Sequence, residues 1–255
     1  MKSVLSTLAA VLVLSASATF AAAADLKVLT AGAMKAVVLA LVPAFEKDTG
    51  HKVVIDNDTA GGLSKRILGG EAFDLVVVTP GVIEDLAGKG KVVAGSGVVV
   101  ARVGVGVGVK EGAPVPDIAS VDALKRALLA AKSVAYIDPA SGGSSGPFVV
   151  ALFEKLGIAA DMKPKTKLKN GGYVADLVAS GEAELALHQI SEILPVKGVT
   201  LAGPLPAEIQ NYTVYGAGVG TDAKQPDGAR AMIRLLSGPA AAEILKARGM
   251  EKPPV

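Results

Sequence analysis

The residues of this chain with chemical potential are mostly small ones. Between Asp138 and Pro147 the sequence reads Pro139-Ala140-Ser141-Gly142-Gly143-Ser144-Ser145-Gly146, a loop with three hydroxyls and no bulk. An apolar run precedes it at 134–137. Apolar residues at helical spacing follow, Phe148, Leu152, Phe153 and Leu156, closed by Gly157. The pattern predicts a strand, a tight turn and a helix with Pro147 in its first turn. The leading N–H groups of such a helix have no partner inside it, and its dipole leaves that end positive, so the turn suits an anion. Three more junctions share the form. Thr30-Ala31-Gly32-Ala33-Met34 and Thr59-Ala60-Gly61-Gly62 each precede a helical pattern, and Asn170-Gly171-Gly172 introduces one at Tyr173. The expected site takes an anion on backbone amides and hydroxyls from Gly32, Ala33, Met34, Thr59, Ala60, Gly61, Ser141, Gly143, Ser144, Ser145, Gly171, Gly172 and Tyr173. Steric need alone also places Gly and Ser in turns, so the weight lies in four junctions sharing one form.

The titratable candidates are fewer. Arg102 lies in an apolar strand pattern, where a charge is costly unless paired. It can clamp a ligand carboxylate bidentately, or form a structural ion pair with a nearby acid. His188 and Gln189 end a strand pattern, 184–189, and Glu192 follows it. Gln189 is counted with the ligand-binding residues; His188 and Glu192 are catalytic only if the protein is an enzyme. The chain has two histidines, His51 and His188, and no cysteine, so no His-based metal cluster, thiol chemistry or disulfide is expected. No Ser-His-acid arrangement is legible. No cofactor is expected.

Strands alternating with helices must position these groups: strand patterns at 26–29, 51–56 and 73–78, each followed by a helical one. This is an α/β chain built of βαβ units with a largely parallel sheet. Two long extended stretches, 98–110 and 212–221, read as crossings between two lobes. The first lobe takes 25–100 plus 218–255 and the second takes 101–217. Gly104, Gly106 and Gly108 alternate along the first crossing and mark a face that something approaches closely.

Composition bounds the rest. Residues 1–24 carry Lys2, an apolar core and an Ala21-Ala22-Ala23-Ala24 cleavage region, as a secretory signal peptide does. The mature chain is expected to be exported, monomeric and not embedded in a membrane. The 255 residues hold 26 basic and 24 acidic side chains and no tryptophan, a balance that gives no basis for nucleic-acid binding and none for a sugar-stacking cleft.

Four segments carry a family likeness: KVLTAGAM, TAGGLSKRILGGEAFDLVVV, DPASGGSSGPFVVALFEKLG and GGYVADLVASGEAELALHQISEIL. With them the mature chain resembles the periplasmic molybdate-binding family of ABC-transporter solute-binding proteins. The resemblance implies the two-lobed type II periplasmic-binding-protein fold, a periplasmic location, an ABC permease as partner, and a ligand held between lobes by hydroxyls and amides. Some relatives are aconitate isomerases, so it also admits an enzyme acting on a tricarboxylate, with His188 or Glu192 as base. Three positions depart from the molybdate pattern. Ala33 replaces a serine, Thr59-Ala60-Gly61-Gly62 replaces a serine run, and Gln189 stands where a tyrosine is expected. A di- or tricarboxylate suits the remaining donors better than a tetrahedral oxyanion.

Overall fold

The computed structural model describes residues 25–254; the expected signal peptide lies outside them. The first half opens as β1 (Asp25–Ala31), α1 (Gly32–Thr49), β2 (Lys52–Asp58), α2 (Ala60–Leu68), β3 (Leu75–Val78) and α3 (Pro80–Gly88). A long strand, β4 (Val98–Lys110), then leads into α4 (Val121–Ala130), β5 (Val134–Ile137), α5 (Ser145–Lys155), α6 (Ala159–Met162), β6 (Thr166–Lys169) and α7 (Asp176–Ala179). The chain closes with β7 (Leu185–Gln189), α8 (Ile190–Ile193), β8 (Val199–Pro204), β9 (Tyr212–Val219), α9 (Pro226–Ser237), α10 (Ala240–Ala247) and β10 (Met250–Glu251). The strand order is β2-β1-β3-β9-β4-β7-β5-β6, with β8 and β10 also pairing β4.

This is the α/β, two-lobed architecture expected. Parallel pairing joins β1 to β2 and β3, and β5 to β6 and β7, while β4 and β9 run antiparallel to their neighbours. Every parallel strand but β6 points its carboxyl end toward a helix start, so the helix N-termini gather at one edge of each lobe. The apolar cores divide along β4: Val100, Ala101 and Val103 pack with β1 and β3, whereas Val105, Val107 and Val109 pack with β5 and β7. Tyr215, Ala217 and Val219 belong to the first core. Thus Ala101, Val103, Tyr215 and Ala217, all within the stretch the sequence reading gives to the second lobe, pack in the first. The changeover falls at Gly104, where β4 stops pairing β9 and begins pairing β7 and β8. There Gln210 acts as a side-chain substitute for a strand, accepting from Val105 N (2.8 Å) and donating to Val105 O (2.9 Å).

The alternating glycines of β4 have a steric cause. A Cβ at Gly106 would lie 2.8 Å from Ile190 Cγ1 and 2.9 Å from the Gly203 carbonyl, and one at Gly108 3.0 Å from Ile193 Cγ2. Short helix α8 lies flat on β4 because those side chains are missing. Gly106→Val is therefore expected to lose about 3 kcal/mol of unfolding free energy by overpacking, read from urea denaturation. A wild-type midpoint would show that α8 shifts freely.

Candidate functional site

Five strand-to-helix or loop junctions meet in one cavity between the lobes. It is lined from β1–α1 by Ala31, Gly32 and Ala33, from β2–α2 by Asn57, Asp58, Thr59 and Ala60, and from β5–α5 by Ile137, Gly143, Ser144 and Ser145. Gly172, His188, Gln189, Glu192 and Tyr215 complete the wall. The lobes touch across it: Thr59 Oγ1 donates to the Ser141 carbonyl (2.7 Å) and Gly61 N donates to the Gly142 carbonyl (3.1 Å).

Three of the junctions end in helices of eight residues or more. α1 and α5 start without a side-chain cap, and α2 is capped by Thr59, whose Oγ1 accepts from Gly62 N (3.0 Å). None of the three carries an acidic residue in its first turn. Uncapped amides and helix dipoles thus face a space that contains no Lys or Arg among its walls.

Polarity within the wall is ordered. Tyr215 OH donates to Gln189 Oε1 (2.9 Å), and Gln189 Nε2 donates to Ser144 Oγ (3.0 Å). Ser144 Oγ also lies 3.4 Å from Tyr215 OH, which can accept its proton, so the three side chains close a hydrogen-bonded ring. Burial raises the Tyr215 hydroxyl far above the ordinary phenol range, and the nearby Glu192 adds to the shift, so it stays a donor.

The two carboxyl groups of the wall differ sharply. Asp58 Oδ1 accepts from Thr59 N (2.7 Å) and Oδ2 lies 3.7 Å from Arg66 Nη1, so its charge is balanced. Glu192 is 7% exposed and lies beside His188, itself 2% exposed, with Oε2 3.5 Å from His188 Nε2. Its Oε1 sits over Gly32, where a Cβ would collide with it. At that separation the pair can be drawn as an ion pair, but desolvation of two charges argues against it. Burial raises Glu192 to about 8; burial, and then the charge of Lys169, lowers His188 to about 3. At neutral pH the pair is a carboxylic acid beside a neutral imidazole. His188 Nδ1 and Ser191 Oγ are buried without a partner among the described residues.

This pair sets a pH profile. Stability from neutral Glu192 is full below its unfolded value near 4.5 and fades as pH rises toward 8; stability from neutral His188 is full above 6.5 and fades as pH falls toward 3. The slopes cancel between 4.5 and 6.5. Unfolding free energy should therefore plateau there and fall from 6.5 to 8, by about 1.4 kcal/mol per unit, and the melting temperature should follow it. Glu192→Gln should remove the alkaline fall, and an unchanged fall would place its cause elsewhere.

The structure brings Gly32, Ala33, Thr59, Ala60, Gly143, Ser144, Ser145, Gly172, His188, Gln189 and Glu192 together in the cavity wall. Other candidates lie outside it. Arg102 pairs with Glu251 (2.8 Å) and stacks over the Tyr212 ring at 4.4 Å, so it is a structural ion pair and clamps nothing in the cavity. Met34 is fully buried in the first core. Gly61 and Ser141 form the contact between lobes, and Ser141 Oγ is turned back to the Asp138 carbonyl (2.7 Å). Gly171 and Tyr173 are also outside the wall, because no helix starts at Tyr173. Lys169 Nζ donates to Tyr173 O (2.9 Å) and pairs with Asp176, delaying a four-residue α7 to Asp176. The sequence reading missed Ala31, Asn57, Asp58, Ile137 and Tyr215. Alternation along β9 marks Thr213, Tyr215, Ala217 and Val219 as one buried face, and a buried tyrosine calls for a polar partner. Tyr215 returns to the cavity the phenol that Gln189 replaces in the sequence.

Two lobes joined through one shared strand, with a polar cavity between them, define a solute-binding protein of the periplasmic type. The chain belongs to the bacterial extracellular solute-binding protein family, whose profile matches residues 26–251. It is 31% identical over 234 residues to an aconitate isomerase of Pseudomonas sp, covering 90% of this chain and 88% of that one. It is 30% identical over 237 residues to the molybdate-binding protein ModA of Azotobacter vinelandii, covering 90% of each. Among solved structures, the Azotobacter vinelandii periplasmic molybdate-binding protein superposes with a TM-score of 0.73 at 23% identity, over 90% of this chain and all of that one. The sulfate-binding protein SubI of Mycobacterium tuberculosis superposes with 0.72 at 16% identity, over 90% and 87%. These superpositions establish the fold.

Proposed function

We propose that this protein captures a small di- or tricarboxylate in the interlobe cavity, in the periplasm, and hands it to an ABC permease. One observation carries the reading: uncapped or hydroxyl-capped helix N-termini from both lobes converge on a cavity whose wall holds no cation. Anion charge there is met by amide dipoles and by the hydroxyls of Ser144 and Ser145. Oxyanion-binding relatives support an anion, and the isomerase relative supports a carboxylate. A thermal-shift panel of citrate, trans-aconitate, succinate, sulfate and molybdate tests it. A true ligand at 100 times its Kd adds about 2.7 kcal/mol of stability. Stabilisation by molybdate with none by carboxylates would overturn the reading.

A second reading, proton transfer on the bound ligand, is favoured by the His188–Glu192 pair, because neighbouring groups with oppositely shifted pKa values are the usual acid–base assignment. Neutral His188 takes a proton from a methylene beside a carboxylate. The allylic carbanion that results is stabilised by the amides at α1 and α5. Glu192 delivers its proton to the far carbon, leaving an imidazolium and a carboxylate. A proton passing between them over 3.5 Å restores the starting pair. Proton NMR of trans-aconitate incubated with the protein decides: cis-aconitate accumulating supports this reading, and a saturable shift without turnover supports capture alone.

A further inference from the structure

We propose that Glu192 is the specificity-determining residue of the cavity, and that it binds as a neutral carboxylic acid which donates its proton to a carboxylate of the ligand. The proposal rests on the carboxylate reading above and adds how charge is balanced. Its basis is positional. Glu192 Oε1 lies against Gly32, the first residue of α1, so a ligand group that reaches the free amides of that helix must also meet this carboxyl. Asp58, the other acid in the wall, has Arg66 and a backbone amide to hold its charge; Glu192 has neither.

Glu192 lies against His188 from β7 and the N-terminus of α1, and its charge bears on Tyr215 from β9 and on Tyr173 from the segment before α7. Lys169 bears on His188, and Arg248, with Asp176, on Tyr173. None forms an ion pair with Glu192 when His188 is neutral. An ionised Glu192 would thus set an uncompensated negative charge beside the incoming anion, at the α1 end that the anion needs. A protonated Glu192 supplies instead a short O–H donor to a carboxylate acceptor. Burial, which raises this carboxyl to about 8, keeps the donor form dominant at neutral pH. The ligand class that follows is a fully ionised polycarboxylate, one carboxylate shared between the α1 amides and Glu192 and the others directed to α5 and α2.

Above the Glu192 midpoint, capture must draw a proton from solvent, so affinity falls tenfold for each pH unit. The test is calorimetry with trans-aconitate at pH 6.5, 7.5, 8.5 and 9.5, on the full mature protein and on Glu192→Gln. Wild type should hold nearly constant affinity to about pH 7.5, lose about threefold from there to 8.5 and about eightfold more to 9.5. Glu192→Gln should bind up to about tenfold more weakly at pH 7.5, since an amide donor replaces an acid, and show no slope at all. A wild-type affinity flat to pH 9.5, or a variant slope parallel to wild type, overturns the proposal and leaves the carboxylate site standing. Absence of binding by trans-aconitate, citrate and succinate at every pH removes the site reading and the proposal with it. The carboxyl carbon resonance of Glu192 in ligand-free protein gives a second readout: a midpoint near 8 supports the neutral donor, and one near 4.5 overturns it.

Discussion

Gly61→Ala is expected to hold the lobes apart. A Cβ at Gly61 would lie 2.8 Å from Gly142 Cα and 3.2 Å from the Gly142 carbonyl, both main-chain atoms with no rotamer to yield. Gly142 cannot swing away at low cost, because it sits at φ 79° in a turn tied by Ser141 to Asp138. The lobes must therefore separate, breaking the Gly61–Gly142 hydrogen bond and the Thr59–Ser141 one beside it. Small-angle X-ray scattering of the variant with saturating ligand should keep the extended profile of an open form. Affinity should drop by about thirtyfold, equivalent to about 2 kcal/mol. Gly81→Ala is the control: nothing lies within 4 Å of its Cβ, and alanine favours helix α3. A Gly61→Ala protein that closes and binds as wild type does would refute the contact's role.

The second large effect is expected in the Tyr215–Gln189–Ser144 chain. Tyr215 and Gln189 are both buried, and each satisfies the other. Tyr215→Phe leaves the Gln189 carbonyl without its donor, a loss of about 1–3 kcal/mol. Gln189→Leu leaves the Tyr215 hydroxyl only its long contact with Ser144 (3.4 Å) and takes a donor from Ser144, a loss of about 1–3 kcal/mol. Removing both partners together is far less damaging than the sum, because no polar group is then left buried and unmet. A double-mutant cycle in urea should give at least about 1 kcal/mol of coupling. Additive losses would mean that the two side chains act separately. The same chain fixes which way Ser144 points its proton, so Gln189→Leu should also weaken ligand capture.

Much of the fold was legible from local pattern. β4 is bounded as expected, Val98–Lys110, because β-branched residues alternating with glycine have no competing helical reading. The turns at 30–33, 59–62 and 141–146 were legible because Gly, Ser and Thr stand directly before helical periodicity. Asn170-Gly171-Gly172 has the same look and leads into bends and a turn instead, where Lys169 binds the Tyr173 carbonyl and Asp176, so that a helix begins only at Asp176. What escaped depends on contacts distant in sequence. Arg102 finds its acid, Glu251, 149 residues away, and no window of sequence shows that pairing. Tyr215 could be seen to be buried, but only the sheet order, which sets β9 between β3 and β4, aims it at Ser144 and Gln189. The neutrality of Glu192 likewise needs three-dimensional burial; as a sequence it is an acid four residues after a histidine.

The central place of β9 has a consequence for how the chain reaches its native form. Leu75 pairs with Val219, so the first lobe lacks an interior strand until nearly the whole polypeptide has emerged. Its early strands present an unfilled slot with ladder groups open to other chains. The second lobe, contiguous apart from its link through β4, has no such wait. It should therefore fold first and draw β9 home last, a long loop closure that makes assembly slow and leaves the late intermediate the species most prone to aggregate.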